Sequence, residues 1–267
     1  MIPAPPPSAP QDLPARPDLP QPVAGRRLVT WGWLEAIAIY LVGYLLIASV
    51  LVGAVIFAIA GVEDPDSIDG VVEVVATLVV DLVFIGVMVV WLRRRHPGWV
   101  QALGVPARGE RLRAFGWGAG MGLLLYPAIS IVVGVPLSFL FELVSGERAV
   151  TPEQVPSDLS GVGKVLLVLV AVIVAPAMEE LFYRGLLFRS IRDRHGFWIG
   201  ALLSGLLFGA AHYVPSPWQD AVLLQSVMVF TGVGLAWIYE RRGTIVAPIA
   251  AHMAFNVIGV VIILSTG

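Results

Sequence analysis

Two adjacent carboxylates and one guanidinium stand inside a long apolar run of this sequence. Glu179, Glu180 and Arg184 lie within the segment 162–189, whose other residues are mostly aliphatic or aromatic. A charged side chain at the centre of a membrane costs about 2.5–3.5 kcal/mol on insertion scales, so ionisable groups kept there usually serve a function. The alternative is a helix end in water, where these charges would need no function.

Helical spacing separates the two glutamates. Residues four apart share a helix face, and an acid that precedes a base by four positions is in the better orientation, so we pair Glu180 with Arg184. Glu179 lies about 100° around an α-helix from Glu180 and can face a different neighbour. The spacing therefore predicts one structural carboxylate, Glu180, and one that is available for chemistry, Glu179.

Two further apolar segments carry histidines. Phe208 precedes His212 by four positions, and His252 precedes Asn256 by four, in a chain that has only 4 histidines. A single histidine in an apolar helix is more often a hydrogen-bonded core residue than a base or a ligand. Together with Glu179, however, these residues would supply a general base, two imidazoles and an amide donor in one apolar environment.

The elements that must position these residues are membrane-spanning helices. The 267-residue chain is 57% hydrophobic and 13% charged, about half the charged fraction of a typical soluble domain. A span takes about 20 residues, and we predict an all-α transmembrane bundle of seven spans, at 33–61, 71–92, 114–144, 162–189, 197–213, 220–239 and 245–264. An eighth span is the alternative, because the two longest segments contain internal prolines, namely Pro127, Pro136 and Pro176.

Basic residues alternate from one connecting loop to the next. Arginines concentrate in 93–113, 189–196 and 241–242, whereas the loops 62–70 and 214–219 contain no lysine or arginine. The positive-inside rule then places the N-terminus in the cytoplasm. The proline-rich segment 1–29 should form a disordered cytoplasmic tail, which leaves 30–267 as the transmembrane domain and 160–264 as its motif-bearing core.

Charge and cysteine content exclude several functions. A net charge of −2 leaves no broad basic surface for nucleic acid. The absence of cysteine excludes disulfides, thiolate metal sites and cysteine nucleophiles. Zinc held by Glu179, His212 and His252 stays open, although the chain lacks the sequence His-Glu-x-x-His.

Other polar and small residues in the spans have structural explanations. Asp81, near the middle of the second segment, is expected to face the bundle and to pair with Arg184 or a backbone donor. Small residues four apart allow two helices to approach closely. Such residues open the third segment, at Gly116, Gly118, Gly120 and Gly122.

Taken in order, three motifs resemble those of the CAAX protease and bacteriocin-processing enzyme family, also called the Abi family. They are Glu179-Glu180-x-x-x-Arg184, Phe208-x-x-x-His212 and His252-x-x-x-Asn256. Members of this family are intramembrane proteases, and they include the type II CAAX prenyl endopeptidases. The resemblance covers about residues 160–264, whereas the first 160 residues match only in being hydrophobic.

The resemblance implies catalytic roles. Glu179 and His212 would bind and activate a water, while His252 and Asn256 would stabilise the oxyanion that forms. The supporting residues would brace the helix and orient Glu179; they are Glu180, Arg184 and Phe208. A membrane-associated peptide or protein substrate is implied, lipid-modified in the CAAX branch. Metal-dependent and metal-free, glutamate-dependent mechanisms are both argued for the family, and the missing zinc motif favours the second.

One geometric condition must hold for this site to form. By the segment bounds, His212 lies about 15 residues from the basic end of its helix and His252 about 7, a difference in depth of about 12 Å at 1.5 Å per residue. Strong tilt, or a surface helix over Arg189–His195, would be needed to bring the two histidines together.

Two other functions agree with the same residues. A proton- or ion-coupled transporter could use Asp81, Glu179 and the histidines as a relay, although no interrupted segments occupy matching positions in two halves. A catalytically silent adaptor or bacteriocin-immunity protein would also retain the fold. The composition, rich in Ala, Val, Gly and Leu without cysteine or a retention signal, favours a bacterial plasma membrane.

Overall fold

Apolar segments long enough to cross a membrane favour helices, because a helix forms all the hydrogen bonds of its backbone N–H and C=O groups within one segment. The computed structural model describes residues 28–54, 70–152, 159 and 161–266. These residues form α1 (Trp33–Ala54), α2 (Gly70–Arg95), the one-turn α3 (Trp99–Ala102), α4 (Arg108–Ser145), α5 (Gly161–His195), α6 (Phe197–Ala211), α7 (Trp218–Arg242) and α8 (Val246–Thr266). The described residues contain no strand, which confirms the all-α prediction. The predicted tail up to residue 27 and most of the predicted acidic loop 62–70 lie outside them.

Among the described residues, six helices are long and apolar enough to cross a membrane, namely all of those above except α3 and α6. The chain is therefore a multi-pass membrane protein. Every predicted span corresponds to a helix, but the fifth, α6, has only 15 residues. At 1.5 Å per residue it is about 22 Å long, shorter than a hydrocarbon core of about 30 Å.

The internal prolines do not divide the long helices. A π-helical stretch, Ser130–Gly134, precedes Pro136 in α4, and another, Val170–Val174, precedes Pro176 in α5. Proline cannot donate to the carbonyl four residues earlier and its ring crowds that carbonyl, so a wider turn accommodates it. The internal turn that would have allowed an eighth span is absent from both helices, which are continuous.

One end of the bundle collects the arginines; we call it the basic end. Helices α2, α5 and α7 finish there, and α4, α6 and α8 begin there. An ion pair of 2.5 Å between Arg192 and Glu240 joins α5 to α7 at this end, and the Tyr239 hydroxyl donates to the Leu103 carbonyl at 3.1 Å. The arginine-rich loops thus lie together, as the alternation predicts, and the cytoplasmic assignment of this end stays a prediction.

The segment before α1 also packs at the basic end. Trp31 is fully buried and its indole N–H donates to the Leu186 carbonyl at 3.1 Å. The Thr30 hydroxyl lies 2.8 Å from Nδ1 of His96. Burial lowers the pKa of His96. The charge of nearby Glu35 opposes this shift, and the charge of Arg95 adds to it. A neutral imidazole therefore anchors this segment near pH 7.

Helices α4 and α8 approach each other more closely than side chains would allow. A Cβ atom on Gly118 would lie 2.2 Å from the Ala247 carbonyl oxygen, and one on Gly122 would lie 2.0 Å from that of Ala251. Two small residues four apart on α4 therefore face two on α8. The predicted close approach through glycines is confirmed at these two positions.

We expect Gly122→Ala to lower the free energy of unfolding by about 1–3 kcal/mol, because the added methyl group forces the two helices apart. Gly120→Ala is the matched control, since no atom lies within 4 Å of the position that its added methyl group would take and alanine is favoured over glycine in a helix by about 0.5–1 kcal/mol. Unfolding in mixed micelles measures both variants. Equal stabilities would contradict the close contact.

Candidate active site

The first motif lies where the backbone of α5 changes from an α-helical to a π-helical turn. Glu179 is the last residue of the α-helical stretch Ala175–Glu179, and Glu180 is the first of the π-helical stretch Glu180–Phe188. Such π turns frequently occur at functional sites. The two carboxylates therefore leave a helix that is locally widened, at the centre of the bundle.

Glu180 is the fully buried centre of a polar network. Its Oε1 atom accepts a hydrogen bond from Nη1 of Arg184 at 2.8 Å and lies 2.9 Å from Nδ1 of His252. Nη2 of Arg184 donates to the Gly232 carbonyl at 3.0 Å, and the guanidinium carbon lies 4.5 Å from the centre of the Phe208 ring. The predicted Glu180–Arg184 pair is observed, and it joins α5 to α7 and α8.

Glu179 faces the same histidine from the other ring nitrogen. Its Oε2 atom lies 3.8 Å from Nε2 of His252, and the side chain is 18% exposed. That oxygen is buried and has no hydrogen-bond partner among the described residues. Spacing predicts that the carboxylates face different neighbours, but His252 contacts both. The α-helical angle of about 100° does not apply across a π turn.

The tautomer of His252 follows from its partner. An ionised carboxylate only accepts hydrogen bonds, so Nδ1 carries the hydrogen that is donated to Glu180. Nε2 then faces Glu179 across a gap that is too long for a direct hydrogen bond. An oxygen of water or substrate about 2.8 Å from each atom would bridge it. The arrangement thus offers a position at which one small polar group meets a carboxylate and an imidazole.

Phe208 brings the two histidines together. Its buried ring lies 4.4 Å from the ring of His212 and 5.7 Å from that of His252, between centroids. His212 directly follows the last residue of α6, and both histidine rings lie beside this one aromatic side chain. The suggested surface helix over Arg189–His195 is wrong, since these residues continue α5 and Arg189 is 1% exposed.

His212 has its own fixed orientation. Its Nδ1 atom lies 2.7 Å from the Phe208 carbonyl oxygen. Because a carbonyl oxygen only accepts, Nδ1 donates and Nε2 of the neutral ring is left as an acceptor. No hydrogen bond or ion pair joins His212 to Glu179 within the described part of the chain, so their predicted cooperation in binding water stays a prediction.

Asn256 connects α8 to α5. Its Nδ2 atom donates to the Ala171 carbonyl at 2.8 Å, within the π-helical stretch Val170–Val174. Its position one turn after His252 is as predicted, but one amide hydrogen is used on the backbone of α5. Only the second hydrogen of the amide is available to stabilise an oxyanion.

Asp81 is 1% exposed, and its Oδ2 atom has no hydrogen-bond partner among the described residues. The predicted pair with Arg184 does not form, because that guanidinium contacts Glu180 and a backbone carbonyl. Asp81 instead lies close enough to Glu179 for their charges to interact. It belongs to the surroundings of the candidate base.

Spacing arguments miss three tyrosines near Glu179. Tyr40, Tyr44 and Tyr183 all lie close enough to Glu179 to interact electrostatically with its carboxylate. Tyr40 stacks on Phe182 with ring centroids 4.8 Å apart. Tyr183 stands inside the first motif, which is the only signal for it, and nothing in the sequence connects α1 to this site.

The donors predicted for zinc do not form a metal site in this arrangement. Among the described residues, no three His, Cys, Asp or Glu side chains are placed to hold one ion. Glu179 and His252 lie close to each other, but His212 is connected to them through the ring of Phe208.

These features define a class: a polytopic helical membrane protein with two adjacent carboxylates that face a buried histidine, and a second, half-buried histidine nearby. Residues 161–258 match the family described as Type II CAAX prenyl endopeptidase Rce1-like. That segment contains all three motifs and the helices that carry them. The motif-bearing part of the chain is thus similar to this family, in line with the resemblance of its three motifs to the CAAX protease and bacteriocin-processing family.

Two curated relatives match part of the chain. The chain is 30% identical over 93 residues to "Putative membrane peptidase YdiL" of Bacillus subtilis (strain 168), over 34% of this chain and 34% of the relative. It is 32% identical over 97 residues to "Uncharacterized 24.3 kDa protein" of Escherichia coli, over 36% of this chain and 43% of the relative. The similarity thus spans less than half the length of either relative. No solved structure matches the chain.

Proposed function

We propose that this protein is an intramembrane endopeptidase that hydrolyses a peptide bond in a membrane-associated peptide or protein. The observation that carries the proposal is the position of His252, 2.9 Å from Glu180 and 3.8 Å from Glu179. A buried imidazole between a paired and an unpaired carboxylate suits acid–base chemistry on a polar substrate group. The match of residues 161–258 to a family described as an endopeptidase family supports peptide hydrolysis as well.

Glu179 acts as the general base. Its unpaired oxygen takes a proton from a water while the water oxygen attacks the scissile carbonyl carbon, which forms the C–O bond of a tetrahedral intermediate. His212 positions that water through Nε2, the acceptor left when Nδ1 donates to a carbonyl. The proton held on Glu179 then passes to the leaving amine as the C–N bond breaks.

His252 stabilises the oxyanion. When His252 takes up a second proton from solvent, Nε2–H donates to the oxyanion while Nδ1–H stays on Glu180, whose negative charge stabilises the imidazolium. Removal of one such donor typically lowers transition-state stabilisation by about 2.7–4 kcal/mol. The second amide hydrogen of Asn256 is the other donor. Arg184 holds Glu180 in place and is a positioning residue.

The test is cleavage by the purified protein in liposomes. The substrates are quenched-fluorescent peptides that end in Cys-aliphatic-aliphatic-X, farnesylated and unmodified, with mass spectrometry to locate the cut. We expect cleavage whose rate Glu179→Gln lowers by at least about 10² and a zinc chelator leaves unchanged. An unchanged rate in the variant would exclude Glu179 as the base. A loss of activity with the chelator that added zinc restores would contradict the metal-free mechanism.

A further inference from the structure

An apolar groove of about 350 Å³ opens between α4, α6 and α7, on a part of the bundle that holds none of the motif residues. Its walls are aliphatic and aromatic, and they include Leu124, Ala128, Trp198, Phe230 and Trp237. Its volume lies in the range of small-molecule sites. The mechanism above does not use this groove.

The groove faces the surroundings of the bundle. Leu124, Trp198 and Phe230 are 63%, 69% and 51% exposed, on helices of which α4 and α7 have spanning length. From Trp237 to Phe230 it follows α7 for seven residues, about 10 Å along the helix axis. The groove therefore runs from near the basic end toward the middle of the bundle.

Two arginines stand at the end of the groove near the basic end. The Arg241 guanidinium carbon lies 5.2 Å from the centre of the Trp237 ring, which itself lines the groove. Arg242 lies 5.7 Å from the ring of Trp117, one turn before the groove residue Met121. Whereas neighbouring Arg192 pairs with Glu240, neither of these two arginines is in an ion pair within the described residues. Their charge is available to an anion.

We propose that this groove binds one acyl chain of an anionic phospholipid whose phosphate contacts Arg241 and Arg242. Basic sites between helices at a membrane surface attract anionic head groups, and tryptophan belongs at the same interface. A peptide fits poorly, because the apolar walls would leave its backbone N–H and C=O groups without partners. The combination of an apolar groove with an arginine pair at one end selects a lipid.

The experiment titrates the detergent-solubilised full-length protein with phosphatidylglycerol or phosphatidylcholine of identical acyl chains and counts retained lipids by native mass spectrometry. We expect phosphatidylglycerol to bind about tenfold or more tightly, since each surface arginine adds to the attraction for an anionic head group. Arg241→Gln/Arg242→Gln should reduce that affinity to the level of phosphatidylcholine. Arg148→Gln is the matched control, because this exposed arginine also stacks on an aromatic ring, Phe139 at 4.6 Å, away from the groove.

A second variant tests the groove itself. Ala128→Trp should reduce the binding of both lipids by filling the apolar space, with the unfolding temperature as the check on its fold. Equal affinity for the two lipids, or a preference that survives the double arginine variant or the filled groove, would overturn the proposal. Competitive displacement of phosphatidylglycerol by a farnesylated peptide would overturn it too, because the groove would then belong to the substrate.

Discussion

Replacement of Glu179 by glutamine is expected to lower the rate of peptide cleavage by a factor of at least about 10² and up to about 10⁴. The amide keeps the size of the side chain but cannot take a proton from water. Because the Oε2 atom of Glu179 has no hydrogen-bond partner among the described residues, its loss leaves no other group unpaired. The unfolding temperature should therefore change little.

The comparison with Glu180→Gln makes this prediction specific. Glu180 accepts from Arg184 and contacts His252, so its neutralisation should lower stability and activity together. Glu142→Gln is the control for glutamate substitution in general, since that residue is exposed on α4. Rates of cleavage and unfolding temperatures are measured for all three. An active Glu179→Gln protein would exclude Glu179 as the base, and an unstable one would make it a structural residue.

The four-residue spacing within one helix predicted an ion pair correctly, whereas the contacts between helices could not be predicted from spacing. The Glu180–Arg184 pair depends only on the four-residue periodicity, and it is present as predicted. The position of His252 between both carboxylates depends on how α8 packs against α5, which no periodicity encodes. The sequence therefore assigns Glu180 only to Arg184 and does not show its contact with His252.

Local backbone changes explain the other differences. The partner of Asn256 is the Ala171 carbonyl, which lies in a π-helical stretch just before Pro176. The proline is evident in the sequence, but the widened helical turn that precedes it is not. Likewise, Gly118 and Gly122 contact α8 while Gly116 and Gly120 do not, and only the rotation of α4 in the bundle decides which pair does so.

Replacement of Arg184 by methionine is expected to lower the free energy of unfolding by about 3–5 kcal/mol. Both members of the Glu180–Arg184 pair are fully buried, 2.8 Å apart. Removal of the guanidinium leaves a carboxylate in an apolar environment with His252 as its remaining partner. It also leaves the Gly232 carbonyl without its donor. Unfolding in mixed micelles at increasing denaturing detergent measures the loss.

The double variant Glu180→Gln/Arg184→Met separates an unpaired charge from lost packing. If the loss of stability in Arg184→Met arises from the unpaired, buried carboxylate of Glu180, neutralising that carboxylate should restore part of the stability. Replacing both members of a buried ion pair generally costs less than removing one of them. Arg148→Met serves as the control, because an exposed substitution is usually worth less than about 0.5 kcal/mol. A double variant less stable than Arg184→Met alone would show that Glu180 is stabilised mainly by His252. Arg184 would then stabilise the protein by packing on Phe208 rather than through its charge.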